Sequence, residues 1–98
     1  MTGALLLAAL ALLPADRMAL ADRLYDRGKY AEAQREYAAL VGASGVSADD
    51  LDYRLGECAR AQGDAAAARA AYDRLLARSP LSDYAPRARL MRALLIPD

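Results

Sequence analysis

The residues of this chain that could do chemistry are one thiol and a few clustered carboxylates. Cys58 is the single cysteine among 98 residues, and histidine is absent. A reactive cysteine needs a cation or a base beside it to hold the thiolate. Arg54 lies four residues upstream, on the same face of a helix, but no imidazole exists to take up a proton. A lone cysteine in this setting reads as a small buried side chain, and an internal disulfide is impossible. The carboxylates Asp22 and Asp26 stand one helical turn apart, and Asp49 and Asp50 are adjacent. Such pairs serve acid–base catalysis when their surroundings push their pKa values apart. Asp49 and Asp50 follow Ser47 at a helix start, where capping and the helix dipole account for them, and Asp22 and Asp26 read as a solvated helix face. Ligand sets with metal spacing are missing, and the glycines form no phosphate loop. No catalytic, metal-binding or cofactor-binding residue is therefore expected, and the chain reads as a non-enzyme.

Charge excludes another class. Thirteen basic and thirteen acidic residues cancel to a formal net charge of +0. They are interspersed, whereas a nucleic-acid ligand calls for a basic stripe that neutralises phosphates. Every cation but Lys29 is an arginine. The length suits at most one domain. What remains is binding by shape, so the elements that make the shape come next.

Gly28, Ala33, Tyr37 and Leu40 are echoed by Gly63, Ala68, Tyr72 and Leu75, and Leu20 by Leu55, each 35 residues on. A period near 34 marks a solenoid of helical hairpins. Ala33 and Tyr37, like Ala68 and Tyr72, share a helix face, so a neighbouring helix comes close at the alanine and is gripped by the ring. Gly28 and Gly63 fall between apolar-periodic segments, where a helix end needs positive φ. Each unit is thus helix, tight turn, helix.

These residues resemble the tetratricopeptide repeat family. Leu55-Gly56, Ala59, Gly63, Ala68, Tyr72 and Pro80 stand at that family's spacings, with Asp52 where its first helix usually carries tryptophan. The first copy has Leu20-Ala21 for the Leu-Gly pair and Gly45 for the proline. The resemblance implies an all-α fold: a short alpha-alpha solenoid of two helical hairpins plus a C-terminal capping helix, preceded by an apolar N-terminal segment. The expected bounds are 1–15 for that segment and 16–98 for the repeat domain, with repeat one at 16–45, repeat two at 48–80 and the capping helix at 83–95. It also implies a protein-interaction module whose first helices line a groove for a peptide or another protein. Residue by residue, that groove falls on Met18, Asp22, Tyr25 and Asp26 in repeat one and on Tyr53, Arg54, Glu57 and Arg60 in repeat two. The family's chaperone-tail clamp uses asparagines and lysines there, and this chain contains no asparagine. A structural or self-associating segment, or the N-terminal part of a longer tetratricopeptide protein, is the alternative.

Finer signals set the elements. Asp16 is the expected cap of a first helix reaching Arg27, and Tyr30 to Leu40 is its partner. Ser47 with Asp50 three residues later forms a capping arrangement for a helix to about Gln62. A fourth helix runs from about Asp64 to Arg78 and stops at Ser79-Pro80. Pro80 to Ala88 resembles the connector of exported tetratricopeptide proteins such as the Tol-Pal coordinator and outer-membrane assembly lipoproteins. There Ser82 or Asp83 is expected to cap the last helix, Pro86 fits its first turn, and Ala88, Leu90, Met91, Leu94 and Leu95 form its apolar stripe.

Ala4 to Leu13 is an uncharged run of leucine and alanine closed by Pro14. Its length is too short for a membrane-crossing helix but suits the centre of a secretory signal. Cleavage could follow Ala19-Leu20-Ala21, inside the first repeat helix, or Leu13-Pro14-Ala15, which spares it. The alternative is an apolar helix packed on the first repeat. A signal places the protein in the bacterial periplasm or cell envelope; without one it is cytoplasmic, and membrane contact arises only through an uncleaved run.

Overall fold

The structure, a computed structural model, describes residues 12–95. These residues form five α-helices and no strand: α1 (Pro14–Asp26), α2 (Tyr30–Ala38), α3 (Ala48–Ala61), α4 (Ala65–Arg78) and α5 (Ala85–Leu94). No helix among them is long and apolar enough to cross a membrane. Most of the apolar run, up to Ala11, lies outside the described residues, so the signal and packed-helix readings both fall there.

The two hairpins are closed by the same device. Gly28 and Gly63 take φ of +77° and +78°. The amide of the next residue reaches back across the helix end, Lys29 to the Leu24 carbonyl and Asp64 to the Ala59 carbonyl, each at 2.9 Å. The glycine amides bond to Tyr25 at 2.9 Å and to Arg60 at 3.0 Å. This pair of bonds satisfies the orphan carbonyls of a helix that ends in a left-handed residue. Only one residue then separates the glycine from the next helix. Asp64 caps α4 by accepting the Ala67 amide at 3.1 Å. Lys29, at the same place before α2, has no oxygen to offer, and α2 carries no side-chain cap. With 9 residues against the 14 of α4, it ends at Ala38, short of the expected Leu40.

Three other expectations are corrected. Asp16 does not cap α1; the helix opens two residues earlier on Pro14, with Leu13 extended at the cap position and Asp16 in the first turn. A residue before proline is driven out of the helical region, which sets that boundary. Neither Ser82 nor Asp83 caps α5: Tyr84 holds that position with no side-chain cap, and Ser82 Oγ instead accepts the Tyr84 amide at 3.2 Å. The apolar stripe of α5 is divided. Ala85, Ala88 and Met91 turn inward, while Leu90 is 53% and Leu94 69% exposed. Ala85, Ala88 and Met91 pack against Ala68, Tyr72 and Leu75 of α4. Ser47 does cap α3, accepting the Asp50 amide at 3.2 Å.

Packing joins the hairpins in series, each helix against the next. Ala33, Tyr37, Ala68 and Tyr72 are all fully buried. One core cluster gathers Ala21, Ala33, Tyr37 and Leu40 with Leu51 and Cys58, so α3 from hairpin two closes the core of hairpin one. The second gathers Ala59, Ala68, Tyr72 and Leu75 with Ala85, Ala88 and Met91, so α5 closes hairpin two. Gly56 shows why a glycine follows Leu55: a Cβ there would stand 2.5 Å from Cε1 of Tyr72. Asp52 replaces aromatic packing with charge. It is buried and pairs with Arg74 at 3.2 Å and Arg78 at 2.9 Å, tying α3 to α4.

Candidate functional site

The residues expected to line a groove sit on α1 and α3, and all of them but Asp26 fall in a row with the start of α5. Tyr25 on α1 feels the charges of Glu57 and Arg60 on α3, and Arg54 feels Asp22. At the N-terminal end the row opens into a cleft of about 780 Å³. Its walls are Leu13, Pro14, Ala15, Met18, Ala19 and Asp22 on the α1 side and Ser44, Gly45, Val46, Ser47 and Asp50 opposite.

The carboxylates of this row are engaged from within. Tyr37 on α2 donates its hydroxyl to Asp22. Tyr72 on α4 donates to Glu57 at 2.8 Å. The two bonds are one bond repeated, since Asp22 and Glu57, like Tyr37 and Tyr72, are 35 residues apart. Burial raises both phenol pKa values, and the hydrogen bonds to Asp22 and Glu57 raise them further, so each tyrosine remains a donor. The repeat's aromatic therefore grips the core with its ring and fixes a groove carboxylate with its hydroxyl. Glu57 also accepts from Arg60 at 2.9 Å.

The middle of the row is aromatic and basic. Tyr53 stacks on Tyr84 with ring centroids 5.0 Å apart and planes 27° apart. Tyr84 donates its hydroxyl to Asp50 at 2.9 Å, and Arg54 Nε donates to the same oxygen at 3.3 Å. Arg87, on α5, donates to the Tyr53 hydroxyl at 2.9 Å. Tyr25 meets Tyr30 edge-on, with centroids 5.2 Å apart. Asp26 is exposed in the last turn of α1, apart from these clusters.

Asp50, Tyr84 and Arg87 were absent from the residues expected to form the groove. The signal for Asp50 was its place one turn before Tyr53 and Arg54 on the same helix face. For Tyr84 and Arg87 the only hint was their separation of 34 from Asp50 and Tyr53, which matters once a third helix is known to join the row.

The site offers stacking rings, guanidinium groups and an apolar cleft rather than reacting groups. Cys58 is fully buried, and its thiol is pushed up to about 11, first by burial and then by the charge of Glu57, which Arg54 only partly offsets. Asp49 and Asp50 do not act as a pair. Asp49 turns to Arg78 at 2.7 Å, and burial, which would raise its pKa, is outweighed by the hydrogen bonds to Arg78, Ser79 and Ser82 together with the Arg78 charge, so the pKa is lowered.

Residues 18–83, about two thirds of the chain, match the family model described as tetratricopeptide repeat. No curated protein and no solved structure matches the chain.

Proposed function

Because this chain belongs to the tetratricopeptide repeat family, whose members commonly bind other proteins, we propose that it is a non-enzymatic interaction module that holds a partner protein or peptide along the row formed by α1, α3 and the start of α5. The observation that carries the reading is the state of the row: its acids Asp22, Asp50 and Glu57 are held by tyrosines from neighbouring helices. Tyr53 and Tyr84 present stacked faces, and the Arg87 guanidinium donates to the Tyr53 hydroxyl. A fixed aromatic platform with pinned charges is a preorganised surface, and tyrosine and arginine are the residues that most often dominate binding energy. The partner contacts are Met18, Asp22, Tyr25, Asp26, Tyr53, Arg54, Glu57 and Arg60, joined by Tyr84 and Arg87.

The test is affinity capture from native envelope extract with the full chain and with Tyr53→Ala/Arg54→Ala. The double variant is expected to lose the captured protein while keeping the circular dichroism of the parent. Undiminished capture would refute the assignment of this face. The bacterial envelope is the proposed location, resting on the connector Pro80–Ala88 and on the length of the apolar run. N-terminal sequencing of the protein recovered from cells tests it, and an intact Met1 in the cytosolic fraction overturns it. A self-associating role is the second reading, favoured by Leu90 and Leu94 standing exposed one turn apart. A strictly monomeric species in sedimentation removes it.

A further inference from the structure

We infer that the outward face of α5 receives an acidic amphipathic helix of a partner protein, with the partner's apolar side chains on Leu90 and Leu94 and its carboxylates on Arg87 and Arg89. The inference deepens the function proposed above and rests on it in taking the row to be a partner site; it adds where on α5 the partner lies and what chemistry the partner carries.

Leu90 and Leu94 follow Arg87 by three and seven residues in α5, so the three share one face of the helix. Arg87 reaches the Tyr53 hydroxyl on α3 at 2.9 Å, which turns that face to the side where the row runs. Leu90 is 53% and Leu94 69% exposed, whereas the residues packed on α4 are buried. The two leucines thus extend the aromatic and basic middle of the row as an apolar strip.

Charge decides the chemistry of the occupant. α5 holds Arg87, Arg89 and Arg92 and no aspartate or glutamate. Arg92 is paired with Asp73 at 2.7 Å. Arg87 donates to a phenol and Arg89 to the Pro80 carbonyl at 2.7 Å, so among the described residues neither guanidinium is bridged to a carboxylate. Both arginines are exposed. Arg89 precedes Leu90 by one residue and lies about 100° round the axis from it, on the side away from Arg87, so the leucine strip has a cation on each border. Such a strip is matched by a helix with acids on both borders of its own apolar strip, the pairing that flanking positions make in a coiled coil. An extended segment turns alternate residues to opposite faces, which carries its acids away from the strip. Two leucines are too few to hold a lipid surface, where a larger apolar face acts together with a basic cluster. A second copy meeting through the same face would set arginine against arginine.

The experiment titrates the full chain into a fluorescein-labelled synthetic amphipathic helix of leucine, alanine and glutamate, and into its counterpart with lysine for glutamate, read by anisotropy. The glutamate helix should bind, the lysine helix should bind several-fold more weakly, and added salt should weaken the glutamate complex. Leu90→Ser/Leu94→Ser should abolish binding and Arg87→Gln/Arg89→Gln should weaken it several-fold, both with the circular dichroism of the parent. No binding of the glutamate helix, equal binding of the two helices, or undiminished binding by the leucine variant overturns the inference. Binding of phosphatidylglycerol vesicles in place of the glutamate helix overturns it in favour of a lipid surface. Sedimentation as a dimer that the leucine variant abolishes overturns it in favour of a second copy. If the glutamate helix binds through α5 while capture survives Tyr53→Ala/Arg54→Ala, the assignment of the α1 and α3 face falls and this inference stands. If capture needs Tyr53 and Arg54 but the glutamate helix does not bind, this inference falls and the proposed function stands.

Discussion

Gly56 and Tyr72 set the spacing between α3 and α4, because a Cβ on residue 56 would stand 2.5 Å to 2.9 Å from three ring atoms of Tyr72. Gly56→Ala gains about 1 kcal/mol of helix propensity but forces the ring or the helix to move, at about 1–3 kcal/mol. The ring is fully buried and tethered to Glu57, so the cost is expected to win. The urea midpoint should fall, and a rise would contradict the packing described. Buried acids of high pKa make a second prediction at this scale. The Cys58 thiol moves from 9.0 up to about 11, and the phenols of Tyr37 and Tyr72 are raised above 10.0. The folded state keeps these protons over a range in which the unfolded chain has lost them, so stability is full below about pH 9 and falls as pH climbs through about 11. Denaturation midpoints at neutral and strongly alkaline pH check this; a flat profile would refute it. The small-then-aromatic notch was readable from Ala33, Tyr37, Ala68 and Tyr72, because spacing on one helix fixes a shared face. The hydroxyl bonds to Asp22 and Glu57 were not, since residues 15 apart meet only through the hairpin fold.

At the scale of elements, caps explain why similar hairpins differ. Asp64 caps α4, whereas Lys29 stands uncapped before α2 with comparable backbone angles, φ −89° and ψ 66° against −91° and 81°. Lys29→Asp should therefore stabilise the chain, by about 0.5–1 kcal/mol, and Asp64→Ala should cost about 0.5–2 kcal/mol. Both are measured by urea unfolding, and a destabilising Lys29→Asp would show that α2 is limited by something other than its cap. Helix existence and the glycine turns were legible because each follows from local chemistry. The orientation of α5 was not: its leucines, Leu90 and Leu94, lie outward, and the face packed on α4 is that of Ala85, Ala88 and Met91. Met91→Ala should accordingly cost about 2–4 kcal/mol, as for a core methionine, whereas Leu94→Ala should stay within about 0.5 kcal/mol. Equal effects would mean that α5 packs otherwise.

For the whole molecule, each hairpin is completed by the next element: α3 seals the first core through Leu51 and Cys58, and α5 seals the second through Ala85, Ala88 and Met91. Serial closure keeps the helices in order and lets α1, α3 and the start of α5 share one row, while α2 and α4 supply the tyrosines that hold Asp22 and Glu57 in place. Much of that row could be anticipated from the repeat, because a 35-residue period carries a groove position from one hairpin to the next. The contribution of Tyr84 and Arg87 could not, because α5 has no second copy to compare. The most direct test is to map the backbone amide shifts of the full chain on titration with its captured partner. The account predicts that the perturbed residues cluster at Met18, Tyr25, Tyr53, Arg54, Tyr84 and Arg87. Perturbations concentrated instead on the outer faces of α2 and α4, around Arg35, Ala66 and Ala70, would contradict it.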